Sequence, residues 1–248
     1  MEHPTWHLDE LAHAGGEHLD ADYVPRYDQK AATDPADDLA LLRMLGLNET
    51  QTLVDLGAGT GTFALAAAPH CRRLVAVDVS PVMLASLRQK AAQLGIANIE
   101  CVQRGFLSYE HQGDLADFVY TRNALHHLPD FWKALALDRV AALLKPGGVL
   151  YLRELVFSCE PREAARVIDA WLASAPAQTD IGWTRAELET HLREEYSTFS
   201  WLLEPMIERA GFAIQQAQHS PSHVYAAYTC IKRRDALDTP GQRGIVGA

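Results

Sequence analysis

Between residues 52 and 157, short apolar runs alternate with stretches of helical period. Thr52–Leu56, Leu74–Asp78, Ile99–Val102, Phe118–Tyr120 and Val149–Leu155 read as five strands. Their nearly continuous apolar character suits strands covered on both faces. Helices fill the gaps. One runs over Phe63–Ala68. Another is capped by Ser80, has Pro81 at its first position, turns Leu84 and Leu87 inward and stops at Gly95. Asp130 caps a third, which runs to Leu144 and is broken by Lys145-Pro146-Gly147-Gly148. This alternation predicts an α/β fold, a doubly wound and mostly parallel sheet with helices on both faces.

The flanks read differently. The first thirty residues are polar and His-rich. A helix then follows, with Asp34 as cap, Pro35 in the first turn, Leu39, Leu42 and Leu45 at helical spacing, and Gly46 as stop. After the fifth strand, residues 160–195 suggest two helices, the second opened by the capping box Thr184-Arg-Ala-Glu187. A helix over Trp201–Ala210, stopped by Gly211, precedes β-like runs at Phe212–Ala217 and Val224–Ile231. The expected sheet therefore has seven strands. The expected organisation is an arm and lid helix (1–47), a core (48–157), a helical insertion acting as a cap (158–198), and a last helix, closing strands and tail (199–248).

Composition narrows the function. At 48% hydrophobic and 22% charged residues, the chain is of soluble globular type. A net charge of −10 disfavours binding to a phosphate backbone, so no nucleic-acid partner is expected. Lys232-Arg233-Arg234, followed at once by Asp235, reads as a solvated chain end. Cys71, Cys101, Cys159 and Cys230 show no CxxC spacing, which suits reduced thiols in a cytoplasmic protein. The N-terminus lacks a secretory pattern, and no uncharged apolar stretch is long enough for a spanning helix, so no membrane partner is expected. His3, His7, His13 and His18 lack a matched ligand pattern, so a mobile polar arm is expected there and no metal site.

The richest stretch is Val54-Asp55-Leu56-Gly57-Ala58-Gly59-Thr60-Gly61, a strand, a glycine turn and a helix start. Glycines there allow a tight turn and let a ligand lie against bare backbone. Asp78, at the end of the next strand, can accept hydrogen bonds from two ribose hydroxyls. A dinucleotide site wants G-x-G-x-x-G or G-x-G-x-x-A, yet the third glycine stands one place early and residue 62 is Thr. Asp55 would also repel a pyrophosphate. A nucleoside with a cationic amino-acid end fits better, and an NAD-dependent oxidoreductase is the alternative.

Four segments in order carry a family resemblance: Val54 to Gly61, Val75-Ala-Val-Asp-Val-Ser80, Asp117-Phe-Val-Tyr-Thr-Arg-Asn-Ala-Leu-His-His-Leu128, and Leu144-Lys-Pro-Gly-Gly-Val-Leu150. The chain resembles class I S-adenosylmethionine-dependent methyltransferases, tightly over residues 50–157. The resemblance implies a Rossmann-like sheet, S-adenosyl-L-methionine as cofactor and methyl transfer by in-line displacement. It implies that Asp55, Gly57, Ala58, Gly59 and Gly61 shape the pocket for the methionine end. Asp78 would hold the ribose and Val79 would pack on the adenine. Many relatives bind the adenine amine with an acidic residue after strand three. Arg104-Gly105-Phe106-Leu107 stands there without a carboxylate, leaving Gly105 and the Phe106 N–H. Asn123 would face the methionine end.

His126 and His127 follow the fourth strand, at the carboxyl edge where ligands bind, and are candidate general bases for a hydroxyl acceptor; packing histidines are the plainer reading. Tyr23, Arg26 and Tyr27 precede the core, as a lid over the cofactor or as ordinary packing. Trp171, Trp183 and Trp201 line an acceptor pocket or fill a core. Arg153-Glu154 points a charged pair into the cleft or pairs internally. Thr121-Arg-Asn-Ala124 lacks the Asn- or Asp-Pro-Pro-aromatic signature of base-amine methylation, and the chain has no Pro-Cys, so the expected acceptor is a small molecule. A monomer or homodimer is expected. A protein that binds S-adenosylmethionine without catalysis is a further alternative.

Overall fold

All five core strands form in the computed structural model, which describes residues 4–31, 34–179 and 181–233. They are β1 (Thr52–Leu56), β2 (Arg73–Asp78), β3 (Ile99–Gln103), β4 (Ala116–Arg122) and β5 (Leu144–Phe157). They lie side by side in the order β3-β2-β1-β4-β5, all parallel. The chain reverses direction of growth between β1 and β4, which opens a crevice at their carboxyl ends. β6 (Thr198–Phe199) pairs with the end of β5. β7 (Phe212–His219) and β8 (Tyr225–Lys232) close the sheet antiparallel, with β8 against β5.

The alternation of side chains along the strands builds two cores. Val54, Leu56, Val75, Val77 and Val119 face one side and bury against α5 (Asp130–Leu143) and α8 (Ser200–Arg209). Leu53, Leu74, Ala76, Phe118 and Tyr120 face the other. There they meet Leu42 of α2 (Ala36–Met44), Phe63 of α3 (Thr62–Ala67) and Leu87 of α4 (Pro81–Gln93). Such strands carry apolar residues at both parities because both faces are covered. Of the expected caps, that of Ser80 forms, its hydroxyl accepting the Met83 N–H at 3.1 Å. Asp34 accepts the Ala36 N–H at 2.9 Å, but Pro35 holds the N-cap position of α2. Asp130 is the first residue of α5, behind Pro129, with no side-chain cap there.

Three features depart from expectation. β5 begins at Leu144, directly after α5, and absorbs Pro146-Gly147-Gly148 as a register shift opposite Ala116–Phe118. The insertion, with α6 (Ala164–Ser174) and α7 (Arg185–Glu194), is tied to the sheet by the two-residue β6, an eighth strand. Finally, the N-terminal segment is packed rather than a mobile arm. Trp6 stacks on Trp132, and α1 (Val24–Ala31) packs against α4, with Asp28 paired to Lys90. His3, Arg234, Asp235 and the tail lie outside the described residues. Among those described, no helix is long and apolar enough to cross a membrane.

Candidate active site

The glycine loop wraps the end of β2. Gly57 and Ala58 donate their N–H groups to the Val77 carbonyl at 2.8 and 3.0 Å. Gly57 and Gly61 adopt left-handed φ of 76° and 88°. A Cβ at Gly57 would meet the Ala124 Cβ at 2.3 Å, and one at Gly61 would meet Leu87 Cγ at 2.5 Å. Side chains at either place would therefore push the loop off β4 and α4. A Cβ at Gly59, by contrast, would meet nothing within 4 Å, because that glycine opens onto a cavity.

That cavity, of about 100 Å³, is lined by Gly57, Gly59, Asp78, Val79, Gly105, Phe106, Asn123 and Tyr27. The structure thus brings together eight of the eleven residues expected to bind the cofactor. Asp78 accepts the Gly59 N–H through Oδ2 and the Ser80 N–H through Oδ1, both at 2.8 Å. Burial raises its pKa, opposed by those two N–H groups. Burial, then the charge of Asp78, pushes the Tyr27 phenol up to about 12, so it is a neutral donor.

Asp55, Ala58 and Gly61 do not line the cavity. Ala58 packs against the apolar core, and Gly61 opens α3. Asp55 is buried within β1, and its Oδ2 has no hydrogen-bond partner. Burial and the neighbouring Asp78 raise its pKa well above the carboxylate range. An orphaned acid of this kind, beneath a glycine loop, fits a cationic ligand and not a pyrophosphate.

A second cavity, of about 840 Å³, shares His18, Tyr27, Arg122, Asn123 and His127 with the first. The insertion forms one wall of it: Trp171 and Trp183 line it, as do Leu188, His191 and Glu195. Trp201 instead is half exposed and stacks on Phe199. Tyr23 reaches this cavity, whereas Arg26 lines neither and is exposed.

The two histidines divide. His126 is buried, with Nδ1 bonded to Glu154 and Nε2 2.9 Å from Glu195 Oε2. Burial alone would lower its pKa, but the two carboxylates hold it up, to about 9. A ring held protonated between two carboxylates is poorly suited to act as a base. Glu154 also accepts the Ala124, Leu125 and His126 N–H groups, so it fixes the loop after β4. His127 is the opposite case. Burial, then the charge of His126, lowers its pKa well below the usual range. It is neutral, lines both cavities, and its Nδ1 has no hydrogen-bond partner.

A pH effect follows. His126 titrates near 6.5 when unfolded and near 9 when folded. Its contribution to stability is therefore fully present below pH ~6.5 and lost as pH rises towards 9. Thermal melts should show the midpoint falling across that window, and Glu154→Gln should flatten the slope. An unchanged slope in the variant would show that another group sets it.

Two further acids escaped the sequence reading. Asp38 of α2 is buried and accepts from Tyr120 Oη at 2.8 Å, Arg153 at 2.7 Å, and Arg122 and Tyr151 at 3.3 Å. Arg153 and Glu154 thus do not pair with each other. Glu195, just past α7, approaches His126 and also His191 Nδ1, at 2.7 Å. Ligand atoms of His126, His127 and Glu195 lie within 4.8 Å of one another, as in a divalent-cation site. The imidazolium of His126 already supplies the positive charge there.

Residues 53–148 match the family model described as a methyltransferase domain. The chain is 30% identical over 159 residues to an uncharacterised methyltransferase of Mycobacterium tuberculosis, covering 58% of this chain and 77% of that protein. It is 33% identical over 152 residues to a trans-aconitate 2-methyltransferase of Methylobacterium radiotolerans, covering 60% of this chain and 54% of that one. Several curated relatives are matched over only 39–54% of their length. Among solved structures, magnesium protoporphyrin IX methyltransferase of Synechocystis with bound SAM superposes with a TM-score of 0.62 at 14% identity. That likeness covers 93% of this chain and all of the other, and it shows a shared fold.

Proposed function

The chain belongs to the class I S-adenosylmethionine-dependent methyltransferases, and on that premise we propose that it methylates a small molecule held in the larger cavity. The observation that carries this reading is the junction of the two cavities at Tyr27, Asn123 and His127. A nucleoside site on one side and a cavity of about 840 Å³ on the other suit two small reactants meeting end to end. S-adenosylmethionine supplies an electrophilic methyl whose leaving group is a neutral thioether. The family match sets aside the NAD-dependent oxidoreductase.

The residues would divide the work as follows. The lone pairs of Asp78 left free by Gly59 and Ser80 would take the ribose hydroxyls. The Gly57–Gly59 backbone would carry the methionine end, and Val79 and Phe106 would contact the purine. Tyr27, a neutral phenol, would donate at the methionine end. The insertion would exclude water from the junction. With a hydroxyl acceptor, His127 would take the departing proton on a free ring nitrogen as the new oxygen–carbon bond forms and the carbon–sulfur bond breaks. Four unpaired cysteines support a reducing compartment, and we place the protein in the cytoplasm.

Calorimetry tests this directly. S-adenosylhomocysteine should bind with a dissociation constant on the order of micromolar, and NAD should not bind. Tight NAD binding without a response to S-adenosylhomocysteine would overturn the reading. Asp78→Ala removes charge-assisted bonds worth roughly 1.5–3 kcal/mol each, so affinity should fall at least about tenfold with the fold intact. An unchanged affinity would take Asp78 out of the site.

A further inference from the structure

The stretch Arg104–Leu107, just after β3, carries no acidic side chain, yet a carboxylate stands beside it. A Cβ on Gly105 would lie 2.3 Å from Glu10 Oε1, so the Glu10 carboxylate fills the space a side chain at 105 would take. Glu10 Oε1 accepts the Leu107 N–H at 3.0 Å, and Oε2 accepts the Ser108 hydroxyl at 2.8 Å. Ser108 Oγ in turn accepts the Gly105 N–H at 2.9 Å. The carboxylate is thereby fixed in place by a segment distant in sequence. Each of its oxygens keeps a further lone pair.

Beside it, the Phe106 N–H makes no hydrogen bond among the described residues. Glu10 and Phe106 both line the small cavity, with Asp78 and Val79. The wall there offers an acceptor next to a donor. Its complement is a ring nitrogen next to an exocyclic amine, the edge that adenine presents through N1 and its 6-amino group. We propose that Glu10 reads the 6-amino group of the cofactor's purine while the Phe106 N–H meets N1, making the N-terminal segment part of the nucleoside site. This rests on the S-adenosyl reading above. It also gives Gly105 a reason: any side chain there would displace the carboxylate.

The test compares S-adenosylhomocysteine with its 6-deamino analogue, which keeps N1 and loses only the amine. A hydrogen bond to a charged group is worth roughly 1.5–3 kcal/mol. The wild type should therefore prefer the amine by roughly 10–150-fold. In Glu10→Ala that preference should fall to near unity. Glu10→Gln keeps an acceptor oxygen without the charge and should retain a preference of only about 2–10-fold, should the Ala variant bind too weakly to measure. If Glu10 merely braces the loop, both ligands should weaken together and the ratio should persist. A wild-type ratio retained in both variants would overturn the proposal. Failure of the wild type to bind S-adenosylhomocysteine at all would instead overturn the cofactor reading.

Discussion

His127→Ala should lower turnover of a hydroxyl acceptor by roughly 10²–10⁴ while cofactor affinity survives. The reason lies in how the structure separates two adjacent imidazoles. His126 has both nitrogens engaged, by Glu154 and Glu195, and holds its proton up to about pH 9. His127 has a buried nitrogen without a partner and a pKa driven below the usual imidazole range, chiefly by burial. A ring that stays neutral is available as a base across neutral pH. Its low pKa makes it a weaker base, which places the effect in the acid limb of the pH profile. Turnover should be flat near neutrality and fall only well below the ordinary imidazole range. Full turnover of a hydroxyl acceptor in His127→Ala would remove it from proton transfer and leave alignment as the main contribution. His126→Ala should differ in kind, because it strands Glu154 and Glu195 and so lowers stability before chemistry.

Asp38→Ala is expected to be the most damaging change outside the ligand-lining residues. The carboxylate is buried, and two guanidinium groups and two phenols converge on it. Arg122 and Arg153 both line the large cavity, and Arg122 the small one as well. Removing one partner of a fully buried ion pair costs about 3–5 kcal/mol. The two arginines keep partial access to solvent, with side-chain exposures of 23% and 36%, so about 2–4 kcal/mol is the better expectation here. For a chain of this size that corresponds to a thermal midpoint roughly 4–16 °C lower. Asp38→Asn keeps an acceptor oxygen and should recover part of the loss. A midpoint unchanged in Asp38→Ala would show that the arginines do not depend on α2.

What could be read from the sequence was what is local. The turn Gly57–Gly61 and the acid Asp78 announce themselves because a strand, a turn and a helix follow within a few residues. The β5 boundary was misplaced because Lys145-Pro146-Gly147-Gly148 reads as a breaker, whereas pairing to β4 tolerates it as a bulge. Asp38 could not be singled out. An acid in the first turn of a helix already has a reason to be there, in the helix dipole, and its four partners come from β4 and β5. Glu10 was hidden for a different reason. It sits among short turns with no hydrophobic period, and its partners lie in the loop after β3. The missing carboxylate at Arg104–Leu107 was visible as a gap, and only tertiary contact shows what stands in it. Glu195 became legible once the insertion was seen to fold back on the loop after β4, where the Tyr196 N–H reaches the His126 carbonyl at 2.8 Å.

The central claim is that a methyl group crosses from the small cavity to a small acceptor in the large one. The most direct measurement supplies the protein with S-adenosylmethionine labelled in the methyl group, together with a metabolite extract freed of macromolecules, and follows the label. The account predicts time-dependent transfer into a small organic product, abolished by Asp78→Ala at limiting cofactor. Label that reaches only added protein or nucleic acid, and never the small-molecule fraction, would contradict it.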